Sequence, residues 1–170
     1  MKRSVALLIA CLLVPQAFAA PADDRLADGI RALAGRDLAG AMDAFTAALE
    51  ADPAHAMAAY ERGKLLLVTG ESANALADFD TAIESDPAFG RAYAARAQAK
   101  LLLKDTAGAI ADFGQAIAVS PRDFEVHAAR AAFRLKIGNV PGAKADLLNA
   151  KAVADEATAQ RIETMLQKLQ

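Results

Sequence analysis

The chain is short of the residues on which chemistry most often depends. Of its 170 residues one is cysteine, two are histidine, two are tyrosine and none is tryptophan. A single thiol, Cys11, cannot close a disulfide within the chain. His55 and His127 stand far apart with no acidic pattern at ligand spacing beside either, so no metal site is expected, and both read as surface or packing residues. No glycine-rich phosphate loop is present. Ser72, Ser85 and Ser120 occupy turn or cap positions, and no histidine is placed to activate any of them. Carboxylates are plentiful but fall at cap and surface registers, and no catalytic pair can be chosen among them. The expectation is therefore a non-enzymatic protein with no catalytic residue, no metal and no cofactor. A formal charge of −2 without a basic cluster gives no electrostatic footprint for nucleic acid. β-Branched runs and polar/apolar alternation are nearly absent, so nothing argues for a sheet.

Long apolar runs are also scarce, and the one that stands out lies at the start, in "MKRSVALLIACLLVPQAFAA". Lys2 and Arg3 supply a positive beginning, Val5 to Val14 an apolar run of 10, and Ala17-Phe18-Ala19 a small-x-small cleavage pattern. Residues 1–19 are thus expected to be a cleaved signal peptide. The run is well short of the roughly 20 residues that a membrane-spanning helix needs, and Pro15 ends it, so no stable span is expected after cleavage. The expected location is periplasmic or secreted. Leu8-Ile9-Ala10-Cys11 resembles a lipoprotein box, which makes a lipid anchor at Cys11 the alternative; against it, the residues that follow continue the apolar run instead of starting a polar tether. Loss of Lys2 and Arg3 with the leader would make the remaining chain more acidic.

What the sequence has in abundance is alanine, 45 residues, which favours helix and close helix packing. It also repeats itself. "AMDAFTAALEADP" at 41 returns as "ALADFDTAIESDP" at 75 and "AIADFGQAIAVSP" at 109, with a weaker copy, "AKADLLNAKAVAD", at 143, each 34 residues after the last. Ala41, Ala75, Ala109 and Ala143 hold one register; Phe45, Phe79, Phe113 and Leu147 follow four later; Ala48, Ala82, Ala116 and Ala150 three after that. These spacings place small, large and small residues on one helix face, as two closely crossing helices require. Asp52-Pro53, Asp86-Pro87 and Ser120-Pro121 read as a cap and a first helical position that start the next helix. Gly70 and Gly138 supply left-handed residues after a helix end. Lys104 lacks that glycine, and its turn is expected to differ.

A helix, a turn, a second helix and a capped turn recurring every 34 residues resembles the tetratricopeptide repeat. Gly29, Gly63, Ala97 and Ala131 carry the resemblance in the first helices; the alanines and phenylalanines above carry it in the second, together with the terminal prolines. It implies an all-α, right-handed α-solenoid of four units over residues 22–157, namely 22–55, 56–89, 90–123 and 124–157. Residues 156–169, with Ala159, Ile162, Leu166 and Leu169 in one stripe, are expected to form a C-terminal capping helix. Departures from the pattern are the early aromatic position, filled only by Tyr93, and the fourth unit, which lacks phenylalanine and proline.

Two further readings concern charge and function. Arg62, Arg96 and Arg130 recur at 34, as do Asp78, Asp112 and Asp146, while the first unit has Asp28 and Ala44 at these registers. Both partners are missing together, so each arginine is expected to pair with the aspartate of its own hairpin instead of forming an anion-binding track. The resemblance also implies a concave groove lined by first helices, with Met57, Tyr60, Lys64, Arg91 and Gln98 as its partner-binding residues. Asp23, Leu26 and Ile30 would extend it at one end, Glu125, Ala128 and Leu135 at the other. The expected function is a protein-binding scaffold or adaptor of the bacterial envelope that holds a peptide or protein segment; the alternative is a structural subunit that associates with itself. Some members of the family grip chaperone carboxylate tails, but Leu26, Ile30 and Glu61 stand where the required groups would be, so that activity is not expected.

Overall fold

The computed structural model describes residues 21–169. The leader reading of residues 1–19, and with it the alternative at Cys11, lies outside them. The described residues form α1 (Ala22–Ala34), α2 (Leu38–Ala51), α3 (Ala56–Thr69), α4 (Ser72–Ser85), α5 (Gly90–Leu102), α6 (Thr106–Val119), α7 (Phe124–Lys136), α8 (Val140–Val153) and α9 (Glu156–Gln167), with no strand among them. The fold is an all-α helical repeat. Helices pair as hairpins α1/α2, α3/α4, α5/α6 and α7/α8, and each hairpin leans on the next. The first helices α3, α5 and α7 also touch one another directly, which makes them one wall of the array.

The small-large-small register forms the seam. Phe45, Phe79 and Phe113 are buried, Leu147 fills the same place in the fourth hairpin, and the flanking alanines have no exposed surface. At Gly63 a Cβ atom would come 2.6 Å from a carbon of the Phe79 ring, and Gly29 meets Phe45 in the same way. Glycine there lets the first helix lie directly on the ring of the second. Across the C-terminal end, α9 packs on α8 and buries Ile162, with Leu166 and Leu169 against the same cluster. This removes apolar surface that an end hairpin would otherwise leave in water.

Two local expectations are corrected. The Asp-Pro pairs do not start the next helix. Asp52 and Asp86 end α2 and α4, and their carboxylates accept from the backbone N–H of Ala54 (3.1 Å) and Ala88 (3.0 Å). The prolines lie in the turn, and the helices begin after His55, Phe89 and Asp123. A reversal between hairpins needs residues of its own, so stop and start are separated. Ser120 likewise ends α6 and starts no helix: its Oγ donates to the Ala88 carbonyl of the preceding unit at 3.3 Å.

Nor does the turn at Lys104 differ. Arg36, Gly70, Lys104 and Gly138 all have positive φ, at 62°, 88°, 66° and 77°. Each is followed by the same closing bond, from the N–H of Asp37, Glu71, Asp105 or Asn139 to a carbonyl five residues earlier, at 2.8–2.9 Å. Packing of the hairpin fixes the turn, and lysine accepts a left-handed backbone that costs it about 1 kcal/mol. Lys104→Gly is therefore expected to stabilise the protein by about 0.5–1 kcal/mol, the relief being partly offset by glycine's larger chain entropy when unfolded. Urea unfolding followed by circular dichroism checks it; a loss of stability would mean that the lysine side chain contributes more than its backbone strain removes.

Candidate functional site

The arginine and aspartate registers meet as expected. Arg62 Nε and Nη2 donate to Asp78 at 2.8 and 2.7 Å, Arg96 to Asp112 at 2.9 and 2.8 Å, and Arg130 Nε and Nη2 to Asp146 at 3.0 and 2.6 Å. The carboxylates are buried and the guanidiniums partly so. These fork-to-fork pairs tie first to second helix inside each hairpin, and they leave no bare cationic track. The Asp112 bond, with Asp80 adding to it, holds the Arg96 guanidinium protonated above its already high ordinary range. Reading by repeat missed the additional partners. Arg96 also donates from Nη1 to Asp80 of the preceding hairpin at 2.7 Å, Lys100 reaches Asp112 at 2.8 Å, and Arg134 reaches Asp146 at 2.9 Å. The spacing of Lys100 and Arg134 is again 34, a signal that could have found the last two. Asp80 has Thr46, Gly114 and Leu148 at its equivalent positions, so no period announces it.

Along the wall made by α3, α5 and α7 runs a trough. Its upper part, near the amino ends of these helices, is a cavity of about 280 Å³ with Tyr60, Lys64, Arg91 and Glu125 around it and Ala94 and Ala95 in its floor. Its lower part, about 330 Å³, is lined by Leu101, Leu102, Phe113, Ala132 and Phe133, with Lys136 at the rim. Leu67, Gln98 and Ala129 border both parts, so the two are continuous. The alanine floor follows from the close helix contacts that alanine permits. Val68, 73% exposed, extends the apolar border.

Each cation of the upper part already has a partner. Lys64 Nζ lies 2.8 Å from Glu61 and 4.7 Å from the centre of the Tyr60 ring. Arg91 Nε donates to Asp123 at 2.6 Å and lies 3.1 Å from Glu125. Burial, followed by the nearby Glu61 and Glu125 carboxylates, pushes the Tyr60 phenol up to about 12, so it stays a protonated donor.

Of the residues expected to line a groove, Tyr60, Lys64, Arg91 and Gln98 are brought together around this trough. Met57 is not: it is half-exposed on α3 and borders neither part. Its register lies between helix starts, where the neighbouring unit has Arg91 reaching Asp123 and the first has Asp23 reaching His55 at 3.0 Å. The trough does not extend to α1; Leu26 packs beside the Phe45 cluster and Ile30 is exposed. The two histidines are structural. His55 caps α3 by accepting from the Ala58 N–H at 3.2 Å, and the buried His127 holds the Pro121 carbonyl at 2.8 Å. Among the described residues no cluster of His, Cys, Asp and Glu could hold a metal ion, and no helix is long and apolar enough to cross a membrane.

Stacked helical hairpins with a trough along their first helices define a repeat solenoid. A tetratricopeptide repeat family model matches residues 26–88 and 60–122, together more than half of the chain, and the chain belongs to that family. No curated protein matches it. Among solved structures, a thermophilic TPR protein of Thermus thermophilus aligns with a TM-score of 0.75 at 23% identity, over 87% of this chain and 80% of that one. MamA from Desulfovibrio magneticus RS-1 aligns with a TM-score of 0.63 at 20% identity, over 78% of this chain and 75% of that one. The first TPR of Spaghetti (RPAP3), bound to the HSP90 peptide SRMEEVD, aligns with a TM-score of 0.59 at 21% identity, over 64% of this chain and 86% of that one. At these identities the likeness is one of fold.

Proposed function

We propose that this protein is a non-enzymatic interaction scaffold of the bacterial cell envelope that holds a peptide or protein segment in the trough along α3, α5 and α7. The observation that carries the reading is the trough itself: a continuous, mostly apolar channel on a preformed wall, with a phenol and ion-paired side chains at one end and an amide at its middle. Apolar contact supplies affinity there, and the polar groups set the register of a bound chain. Fold neighbours that hold a peptide lend support, such as the first TPR of Spaghetti bound to SRMEEVD. The envelope assignment rests on the leader of residues 1–19, whose three parts match a secretory signal.

The test is capture of partners from an envelope fraction with the chain from Ala20 onward, repeated with Tyr60→Ala and Arg91→Ala. Loss of the same partner with both variants is the expected result. Retention with both moves binding to another surface, and a chain that self-associates at micromolar concentration in light scattering would favour the structural-subunit reading instead.

A further inference from the structure

The trough has an uneven charge distribution that narrows what fits it. At its upper end three carboxylates, Glu61, Asp123 and Glu125, surround the two cations Lys64 and Arg91. Both of these cations are paired and one carboxylate is in excess; Arg122, the next cation, lines the neighbouring hollow with Arg91 and Asp123 and not the trough. The amino ends of α3, α5 and α7 open at the same end, but first-turn amides are already engaged: His55 accepts from Ala58, Asp123 accepts from the Glu125 N–H at 2.9 Å, and in α5, which has no side-chain cap, the N–H groups of Gly90 and Ala92 donate to the carbonyls of Ala88 and Phe89 at 2.9 and 3.0 Å. The elevated Tyr60 pKa, raised by burial first and then by Glu61 and Glu125, agrees with a negative local potential.

At the lower end Leu101, Leu102 and Phe133 form an apolar slot. From Glu125 to Lys136 the trough follows α7 for eleven residues, about 16 Å at 1.5 Å per residue. That is the length of about five extended residues.

We propose that the trough selects an extended segment carrying a basic residue at the Glu125 end and aliphatic residues at the Phe133 end, and disfavours an acidic residue at the Glu125 end. The inference rests on the trough being the binding site. A cation at the upper end gains the excess carboxylate, while aliphatic side chains fill the slot below and displace its water. The spacing between the two ends sets a minimum length of about five residues, so shorter segments engage one end only.

The experiment uses two dye-labelled synthetic octapeptides of one leucine-and-valine sequence, one beginning with lysine and its twin with glutamate, titrated by fluorescence anisotropy. The lysine peptide is expected to bind about tenfold more tightly, the order of effect that reversing one charge beside a partly screened carboxylate produces. Glu125→Gln is expected to reduce that ratio to about threefold while leaving the affinity of the glutamate twin unchanged or better. Gln98→Trp, an exposed position at the waist of the trough, is expected to abolish binding of both, with circular dichroism confirming an intact helical fold. Equal affinities, or a preference for the glutamate twin, that vanish with Gln98→Trp overturn the charge selection and leave the trough as a binding site. Binding that Gln98→Trp does not weaken overturns the trough reading itself, and so does no binding of either peptide by about 1 mM.

Discussion

Phe79→Ala is expected to cost about 3–5 kcal/mol of stability, the range for emptying a fully buried aromatic site. Phe79 has no exposed surface. Its ring fills the space under Gly63 and lies 6.2 Å from the ring centre of Tyr60, so truncation opens a void between α3 and α4 that neither neighbour can close without moving backbone. The site is central in the array. Because the stability of a solenoid is close to a sum of units and the interfaces between them, a weak second hairpin also loosens its hold on the first and third. A fall in melting temperature of about 10 °C is the corresponding thermal readout. Leu148→Ala, at a half-exposed position of α8, is the control and should stay within about 0.5 kcal/mol of the wild type. A loss below about 1 kcal/mol at Phe79 would refute the seam described here.

Asp112→Asn is expected to cost about 2–3 kcal/mol. Removing one partner of a buried ion pair leaves the opposite charge uncompensated, at about 3–5 kcal/mol when burial is complete; Arg96 and Lys100 keep 18% and 21% of their side-chain surface in water, which lowers the figure. The pH dependence follows. Burial raises the Asp112 carboxyl, but hydrogen bonds from Arg96 and Lys100 outweigh it and hold the group below the usual carboxylate range. A depressed folded-state value means that its contribution is fully present above the unfolded value, about pH 4, and is lost as pH falls through the lower folded one. The difference between wild type and variant should therefore be constant near neutrality and shrink only in strong acid, in unfolding curves measured side by side. If Asp112→Ala left stability unchanged while an arginine substitution in the ladder removed ligand binding, the ladder would be a binding track after all.

Most of the fold was legible because a 34-residue period lets each unit vouch for the others. The Phe45, Phe79 and Phe113 register and the Arg62, Arg96 and Arg130 ladder could be read this way, since a buried position imposes the same residue type each time it recurs. Features that occur once escaped. Asp80 links two hairpins through Arg96 and has no counterpart at the same register in the other units. The caps were misplaced by three residues because Asp-Pro is equally good chemistry for ending one helix and for starting another, and only the path of the turn distinguishes them. At Lys104 the expectation drawn from residue type gave way to packing: two helices held by their seam force the connecting residue to turn left whether or not it is glycine.

The candidate site divides in the same way. Tyr60, Lys64, Arg91 and Gln98 fall on one wall because first-helix registers repeat, and sequence reached that far. That Arg91 is already engaged by Asp123 and Glu125 is a contact between hairpins, 32 and 34 residues apart in the chain, and no local pattern foretells it.

By itself the sequence determined which faces are oily, where the chain breaks between helices, and that the hairpins must stack, because periodic apolar positions leave no other way of escaping water. Only the tertiary structure decided which charges remain available at the trough. That depends on side chains from successive hairpins meeting within about 3 Å, a distance that the stacking of helices sets and the spacing of letters does not.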